Sequence, residues 1–401
     1  MKNIHLELGK QLKLFIFPNN YGQNPIILPK GSIIIDCIKN FIETEEKKLG
    51  YEKIMTPLVS TETPFCISGH WDHYIEKIFY INESESRNKV FRPVTCPFHI
   101  AAYNAEIHSY KDLPIRFSET THLFRKIQSG ESHGLFRTCQ IHISDGHIFC
   151  AENQVIDEIN ATIGLIKNIA TKLGLLDSIL WRFSRGESNN RQKYIGDEGL
   201  WKIAEEMIEK ALKMAQIDYF EKKDVAAFYG PKIDILVKDS FCRDEALFTI
   251  QLDYQLASKF EAKYTDKDGT IKAPIIIHRT TMSSFERTLA VLLEKNLGNF
   301  PFWMAPLQLT ILPISFEPSG KGLLNHLIQE LDFLCIRYFI DKRDVPLGKK
   351  ISDAKKENVP YIVFIGKKEI EKNCLTIKDR NNNDYNITIE EFITLIKSDY
   401  N

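Results

Sequence analysis

"FRKIQSGESHGLFRTCQIHISDGHIFC", residues Phe124 to Cys150, alternates polar and apolar side chains on either side of a loop that holds Ser129, Gly130 and Ser132. That period of two predicts an antiparallel pair of strands over 114–125 and 134–143. The pair would carry Arg125 and Arg137 on opposite arms, Asp145 and His147 beyond them, and isoleucines at Ile127, Ile141 and Ile143. Guanidinium groups stay charged and grip phosphate or carboxylate as a bidentate fork. On this pair such arginines either bind an anion or form surface salt bridges.

Outward from this pair, "KGSIIIDCIKNFIETEEKKL" (30–49) spaces its apolar residues as a helix does, with Ser32 as a cap and Gly50 as its stop; "YEKIMTP" follows as a short strand ended by Pro57. Helices are predicted over 97–109, 151–173 (closed by Gly174), 197–214 and 283–297, and strands over 178–184, 232–238, 246–253 and 274–278. After "GNFPFWMAPLQ" the pattern changes: strands at 307–313, 336–340, 360–365 and 374–378 alternate with helices at 319–334, 347–357 and 389–397. Such alternation predicts βα units on a parallel or mixed sheet. A domain boundary is placed near Pro306, giving parts 1–305 and 306–401, and "RNNND" (380–384) reads as a turn.

At 401 residues the chain exceeds what one core usually organises, and its 43% hydrophobic and 26% charged residues describe a globular protein. A net charge of -1 argues neither for nor against nucleic acid. "MKNIHLELGKQLKLFIF" lacks the apolar core of a signal peptide, and no apolar run approaches the roughly 20 residues of a membrane span. The expectation is a soluble, cytoplasmic protein with no membrane partner, an organellar setting remaining open. The eight cysteines form no C-x-x-C pair, which predicts reduced thiols or isolated ligands.

Three soft-metal ligands stand out: Cys96 in "RPVTCPFHI" at a strand-to-helix turn, and His147 and His278 beside strand-like segments. A cysteine and two histidines suit zinc and leave a coordination position for substrate. Spacing alone does not choose this triple, since eight cysteines and eleven histidines yield many; a buried thiol and core histidines are the alternative. Arg125, Arg137 and Arg287 suit a triphosphate undergoing displacement at its α-phosphorus, the alternative being surface salt bridges. No Gly-rich phosphate loop is present, so side chains would have to hold a nucleotide.

The ordered run of "LPKGSIIIDCIKNFI…GYEKIMTP", "SGHWDHY", "TCPFHI", "YKDLPIRFSE…FRKIQSGESHGLFR", "DGHIFC", "AFYGPKIDI", "TIQLDY" and "IIIHRTTMSSFER" resembles the catalytic core of threonyl-tRNA synthetases. "DKRDVPLGKKISDAKKENVPYIVFIGKKE" resembles their anticodon-binding domain. The resemblance implies an α+β class II synthetase catalytic domain, an antiparallel sheet flanked by helices, followed by an α/β anticodon-binding-like domain. It further implies a homodimer formed through the segment ending at Pro57. Cys96, His147 and His278 match the zinc ligands that hold the threonine amino and hydroxyl groups, and Asp145 matches the carboxylate accepting the substrate hydroxyl. A metal that coordinates a hydroxyl rejects valine, which an apolar pocket does poorly. Arg125 matches the arginine bridging the amino-acid carboxylate and α-phosphate, Arg137 the one on the γ-phosphate, and Arg287 the one over adenine. Tyr229, Lys232 and Gln251 match pocket residues, and Ser284 joins Gln251 and the arginines around the nucleotide. The implied cofactors are Zn2+ and ATP with Mg2+, and the implied reaction gives threonyl-adenylate and then charges tRNA(Thr).

The chain also departs from the family. Ile127 stands for an acidic residue that reads the adenine amino group, Ile141 for a phenylalanine under the ring, Cys139 for an arginine, Ile143 for a glutamine near the amino acid and Ser283 for a glycine. In the C-terminal part Glu369 is kept where the family reads the anticodon, while Asp344 replaces an asparagine and Ser352 and Lys378 replace arginines. Residues 301–401 hold 14 Lys+Arg against 14 Asp+Glu, so no basic surplus favours RNA there. The resemblance begins almost at Met1, so editing in cis is not expected. A synthetase is the leading reading. A paralogue activating threonine or a related amino acid for a carrier protein, small molecule or other acceptor is the alternative, and a non-catalytic regulator the third.

Overall fold

The computed structural model describes all residues except 1–2, 20–21, 23, 82–87, 129, 132, 187–192, 315–317 and 401, and the side chains of 318–321. Ser129 and Ser132 of the expected hairpin loop thus lie outside the described residues. The predicted strand pair extends into an eight-stranded sheet. Its strands, in chain order, are β1 (Glu52–Lys53), β2 (Ile115–Phe124), β3 (Gln140–Cys150), β4 (Leu180–Arg185), β5 (Tyr219–Lys223), β6 (Lys232–Lys238), β7 (Asp244–Asp253) and β8 (Ile275–Met282). Spatially they run β5-β4-β6-β7-β8-β3-β2-β1, antiparallel except for the parallel edge pairs β5–β4 and β2–β1. This is the class II architecture expected, with helices Val155–Lys172 and Glu198–Met214 where the apolar spacing places them.

The second arm of the hairpin starts later than the alternation suggested. Gly134–Phe136 forms a single 3-10 turn and β3 begins at Gln140, so Phe124 pairs with Gln140 and Ile115 with Phe149. Arg125 therefore follows the first arm directly, and Arg137 lies in the connection rather than on an arm. The first long helix spans Pro29–Lys48, which makes Ser32 a first-turn residue and not its cap: the Ser32 amide already donates to the Leu28 carbonyl. The segment 51–57 keeps only two residues of strand.

One face of the sheet buries an ionic network. The Arg279 guanidinium donates to Glu46 (2.5 Å) and Thr281 (2.9 Å), and Ser144 and Thr281 donate to the same carboxylate at 3.0 and 2.7 Å. Gly146 is what admits this arginine, because a Cβ there would lie 2.5 Å from the guanidinium carbon. The opposite face of β3 carries Ile143, Asp145 and His147, two residues apart as strand geometry demands.

The C-terminal strands are β9 (Leu309–Pro313), β10 (Tyr338–Ile340), β11 (Tyr361–Ile365), β12 (Leu375–Asp379) and β13 (Asp384–Ile387), ordered β10-β9-β11-β12-β13. The first two pairings are parallel and the last two antiparallel, the mixed sheet expected. Helices Leu347–Lys356 and Ile389–Tyr400 follow the predicted alternation. Compact grouping divides the chain into Met1–Asn19, Pro25–Ile38 and Leu292–Asn401 on one side and Asn20–Asn24 with Lys39–Val291 on the other. The sequence change near Pro306 falls inside the first unit because the preceding segment is bonded into it. Arg337 donates to the Ala305 and Trp303 carbonyls, Arg380 donates to that of Phe300, and Phe302 packs in the core with Leu309 and Tyr361.

Candidate functional site

The antiparallel register sets Lys232, Gln251, His278, His147 and Phe117 side by side across β6, β7, β8, β3 and β2. His147 and His278 are direct cross-strand partners, their rings 4.6 Å apart. Cys96 opens the helix Cys96–Tyr103, and its thiol and the two imidazoles bring their ligand atoms within 4.8 Å of one another, all three residues buried. The three residues singled out from the sequence thus converge.

Their donor chemistry fits a zinc-like ion. His278 Nε2 lies 2.9 Å from a carboxylate oxygen of Asp253, which places the ring proton there and leaves the Nδ1 lone pair aimed at His147 Nε2, 2.9 Å away. That separation is one a shared proton spans, and the same two ring nitrogens, with the Cys96 sulfur, are donors of the kind that would hold zinc. Burial, with Asp145 and Asp253 adding to it, pushes the Cys96 thiol well above the ordinary cysteine range, an effect that a bound cation reverses.

Asp145 lies on the same strand face as His147 and accepts hydroxyl hydrogen bonds from Thr95 and Thr280. Tyr229 stacks on His278 with ring centroids 4.7 Å apart and donates to Gln251 Oε1 at 2.6 Å. Lys232 is tied to Asp234 at 3.0 Å, a buried carboxylate that Ser184 and Arg182 also engage. Asp145 and Tyr229 therefore border the Cys96, His147 and His278 trio, and Gln251 and Lys232 continue its row across the sheet, each with a defined partner.

The arginines gather at the hairpin end. The Arg287 guanidinium donates to the carbonyls of Phe136 (3.2 Å) and Ala246 (2.9 Å) and pairs with Glu245 at 3.2 Å. Arg137 is exposed and pairs with Glu131 at 3.2 Å; Arg125 is exposed and anchored by Nε to the Pro93 carbonyl at 3.0 Å. Burial pushes the Arg287 guanidinium below the ordinary arginine range, and the charges of Arg137 and Arg125 add to this against Glu245. Mutual repulsion of this kind is relieved by a polyanion. Ser284 is buried and accepts from the Arg287 amide at 3.1 Å while donating to Glu286, so its hydroxyl already serves the helix start.

Ile143 is buried across from Thr121, on the Asp145 face, and Ile141 lies across from Leu123. Ser283 is held in the sheet connection by bonds to Ala246 and Leu247. In the C-terminal unit both Glu369 carboxylate oxygens accept local bonds, from the Gly366 amide and the Thr376 hydroxyl, and Lys378 pairs with Asp384 at 2.8 Å. Sequence reading singles out neither Asp253, His99 nor Glu119. Of these only His99, three residues after Cys96 on the same helix, leaves a local signal.

The chain belongs to the class II tRNA synthetase family: residues 79–296 match the tRNA synthetase class II core domain (G, H, P, S and T), and residues 308–399 match the anticodon binding domain. Within that class its relatives include threonine--tRNA ligases. The enzyme of Clostridium perfringens (strain 13 / Type A) is 42% identical over 386 residues, covering 96% of this chain and 60% of its own length. Threonine--tRNA ligase 1 of Bacillus subtilis (strain 168) is 36% identical, covering 97% and 60%. The chain thus spans 60% of the length of these relatives. A solved structure of the RNA binding domain of threonyl-tRNA synthetase from Cryptosporidium parvum Iowa II is 29% identical with a TM-score of 0.89, covering 98% of each chain.

Proposed function

We propose that the chain activates threonine with ATP to threonyl-adenylate and transfers it to tRNA(Thr), through a core over 1–305 and an anticodon-binding-like part over 306–401. The observation that carries this reading is the buried Cys96, His147 and His278 trio with Asp145 on the same strand face. Those three residues would hold zinc, which when bound supplies a Lewis-acid position for the amino and hydroxyl groups of the substrate. Asp145, oriented by Thr95 and Thr280, accepts a hydrogen bond from the threonine hydroxyl and leaves valine without a partner.

Arg125 orients the threonine carboxylate toward the α-phosphorus, one carboxylate oxygen forms the new bond to phosphorus, and the bond to the β-phosphate bridging oxygen breaks. Pyrophosphate leaves with the electron pair, accompanied by magnesium, while Arg137 and Arg287 neutralise its charge. Tyr229, Lys232 and Gln251 complete the pocket wall, and Ser284 holds Arg287 by capping its helix.

Similarity to threonine--tRNA ligases through both units supports tRNA as acceptor over a carrier protein or small molecule. A homodimer is supported by the apolar side chains beside Pro57: Met55 is 89% exposed, and Leu58 and Val59 are also exposed. Among the described residues no helix is long and apolar enough to cross a membrane. The test is amino-acid-dependent ATP–pyrophosphate exchange on zinc-loaded protein with threonine, serine and valine. Exchange with threonine and its near absence with valine is expected; exchange with valine at the threonine rate, or none with threonine, overturns the reading.

A further inference from the structure

We infer that Glu119 and His99 form a two-step hydrogen-bond relay that fixes the tautomer and ring orientation of His147 for metal binding, a positioning role that rests on the metal reading of the trio above. The chain of contacts is continuous and buried. His99 Nε2 lies 3.2 Å from Glu119 Oε2, His99 Nδ1 lies 2.9 Å from His147 Nδ1, and His147 Nε2 faces His278 Nδ1 at 2.9 Å. Glu119 is 3% exposed, His99 0% and His147 1%.

The direction of every bond follows from the end that only accepts. Glu119 takes the Thr56 amide and hydroxyl, both at 2.9 Å, and two Arg92 nitrogens at 3.2 and 3.4 Å. Burial opposes ionisation there, but His99, Thr56 and Arg92 outweigh it and hold the Glu119 carboxyl at about 2. A carboxylate has no proton to give, so His99 donates from Nε2. In a neutral His99 ring Nδ1 is then an acceptor, so His147 donates from Nδ1 and its lone pair is left on Nε2. Asp253 imposes the same logic on His278 from the other side. Two carboxylates, one direct and one acting through His99, thus aim two lone pairs at the same point. Ring orientation is fixed too, since His99 packs edge-on against both His147 and Phe117.

The test uses the full chain with zinc and with cobalt(II) as a spectroscopic substitute. His99→Phe removes the acceptor, whereas His99→Gln can present an amide oxygen to the His147 N–H. The relay predicts that His99→Phe weakens zinc binding about 10- to 100-fold in chelator competition and changes the cobalt ligand-field spectrum, with substantial recovery in His99→Gln. Unchanged zinc affinity and spectrum in a folded His99→Phe protein overturns the relay and leaves His99 a packing residue. Ring 15N shifts of His147 in zinc-loaded wild type need no variant: a protonated Nδ1 and a metal-bound Nε2 support the relay, and coordination through Nδ1 overturns it. Failure of the wild type to hold any zinc is a different result, which removes the metal reading itself.

Discussion

Replacing Gly146 by alanine probes how tightly the back of the sheet is built beneath the site. The added Cβ would sit 2.5, 2.5 and 2.6 Å from three atoms of the Arg279 guanidinium, about 1 Å inside ordinary contact. Arg279 is fully buried, stacks over Tyr51 at 4.3 Å and bonds Glu46 at 2.5 Å, with Glu46 itself 1% exposed. It is held in place by that stack and that bond, so the methyl group either strains the strand between Asp145 and His147 or breaks the buried pair. Breaking such a pair by removing one partner costs about 3–5 kcal/mol, and partial displacement should cost about 2–4 kcal/mol. Urea unfolding measures this in four proteins: wild type, Gly146→Ala, Arg279→Met and the double variant. If the guanidinium is the obstacle, alanine should cost under ~1 kcal/mol in the Arg279→Met background, a coupling of about 2 kcal/mol or more. Equal alanine costs in both backgrounds would refute the reasoning and place the strain in the strand backbone.

Purification without chelators should yield about one zinc per chain, and Cys96→Ser should reduce this below half by elemental analysis, because a neutral hydroxyl replaces the only anionic ligand of the trio. Burial, with His122 and Lys39 adding repulsion, lowers His142 from 6.5 to about 3 in the fold. The unfolded chain therefore binds the extra proton between those values, stability falls as pH drops through that window, and the slope carries ~1.4 kcal/mol per pH unit from this residue. Stability profiles from pH 7 to 4.5 should be flatter by about one proton in His142→Phe, and an unchanged slope counts against the assignment. Ile127→Glu should lower the KM for ATP about 2- to 12-fold in pyrophosphate exchange by regaining one hydrogen bond to adenine, and an unaltered KM would show that this position does not face the base.

The architecture was legible wherever burial writes a period into the sequence. The apolar faces of 30–49, 151–173 and 197–214 return as helices within a few residues, and β6 returns as 232–238. What escaped was structure that burial does not mark. Edge strand β5 reads "YFEKK" and is largely exposed, and the alternation of β13, "DYNI", lasts only four residues beside a polar turn, so neither gives a run long enough to read. Arg137 was misplaced because Leu135 and Phe136 are buried in a 3-10 turn, which continues the apolar rhythm of a strand without its pairing. The site shows the same division. Cys96, His147, His278 and the arginines are residue types whose chemistry announces itself, yet the contacts that decide their behaviour depend on register. Glu119 lies opposite Asp145 on the neighbouring strand, and His99 reaches it from a helix twenty positions earlier. No local pattern links these residues, because the link is made by the pairing of β2 with β3. In the proposed relay the hairpin thus does more than place arginines at its end: its register carries the acceptor, Glu119, that orders His147 through His99.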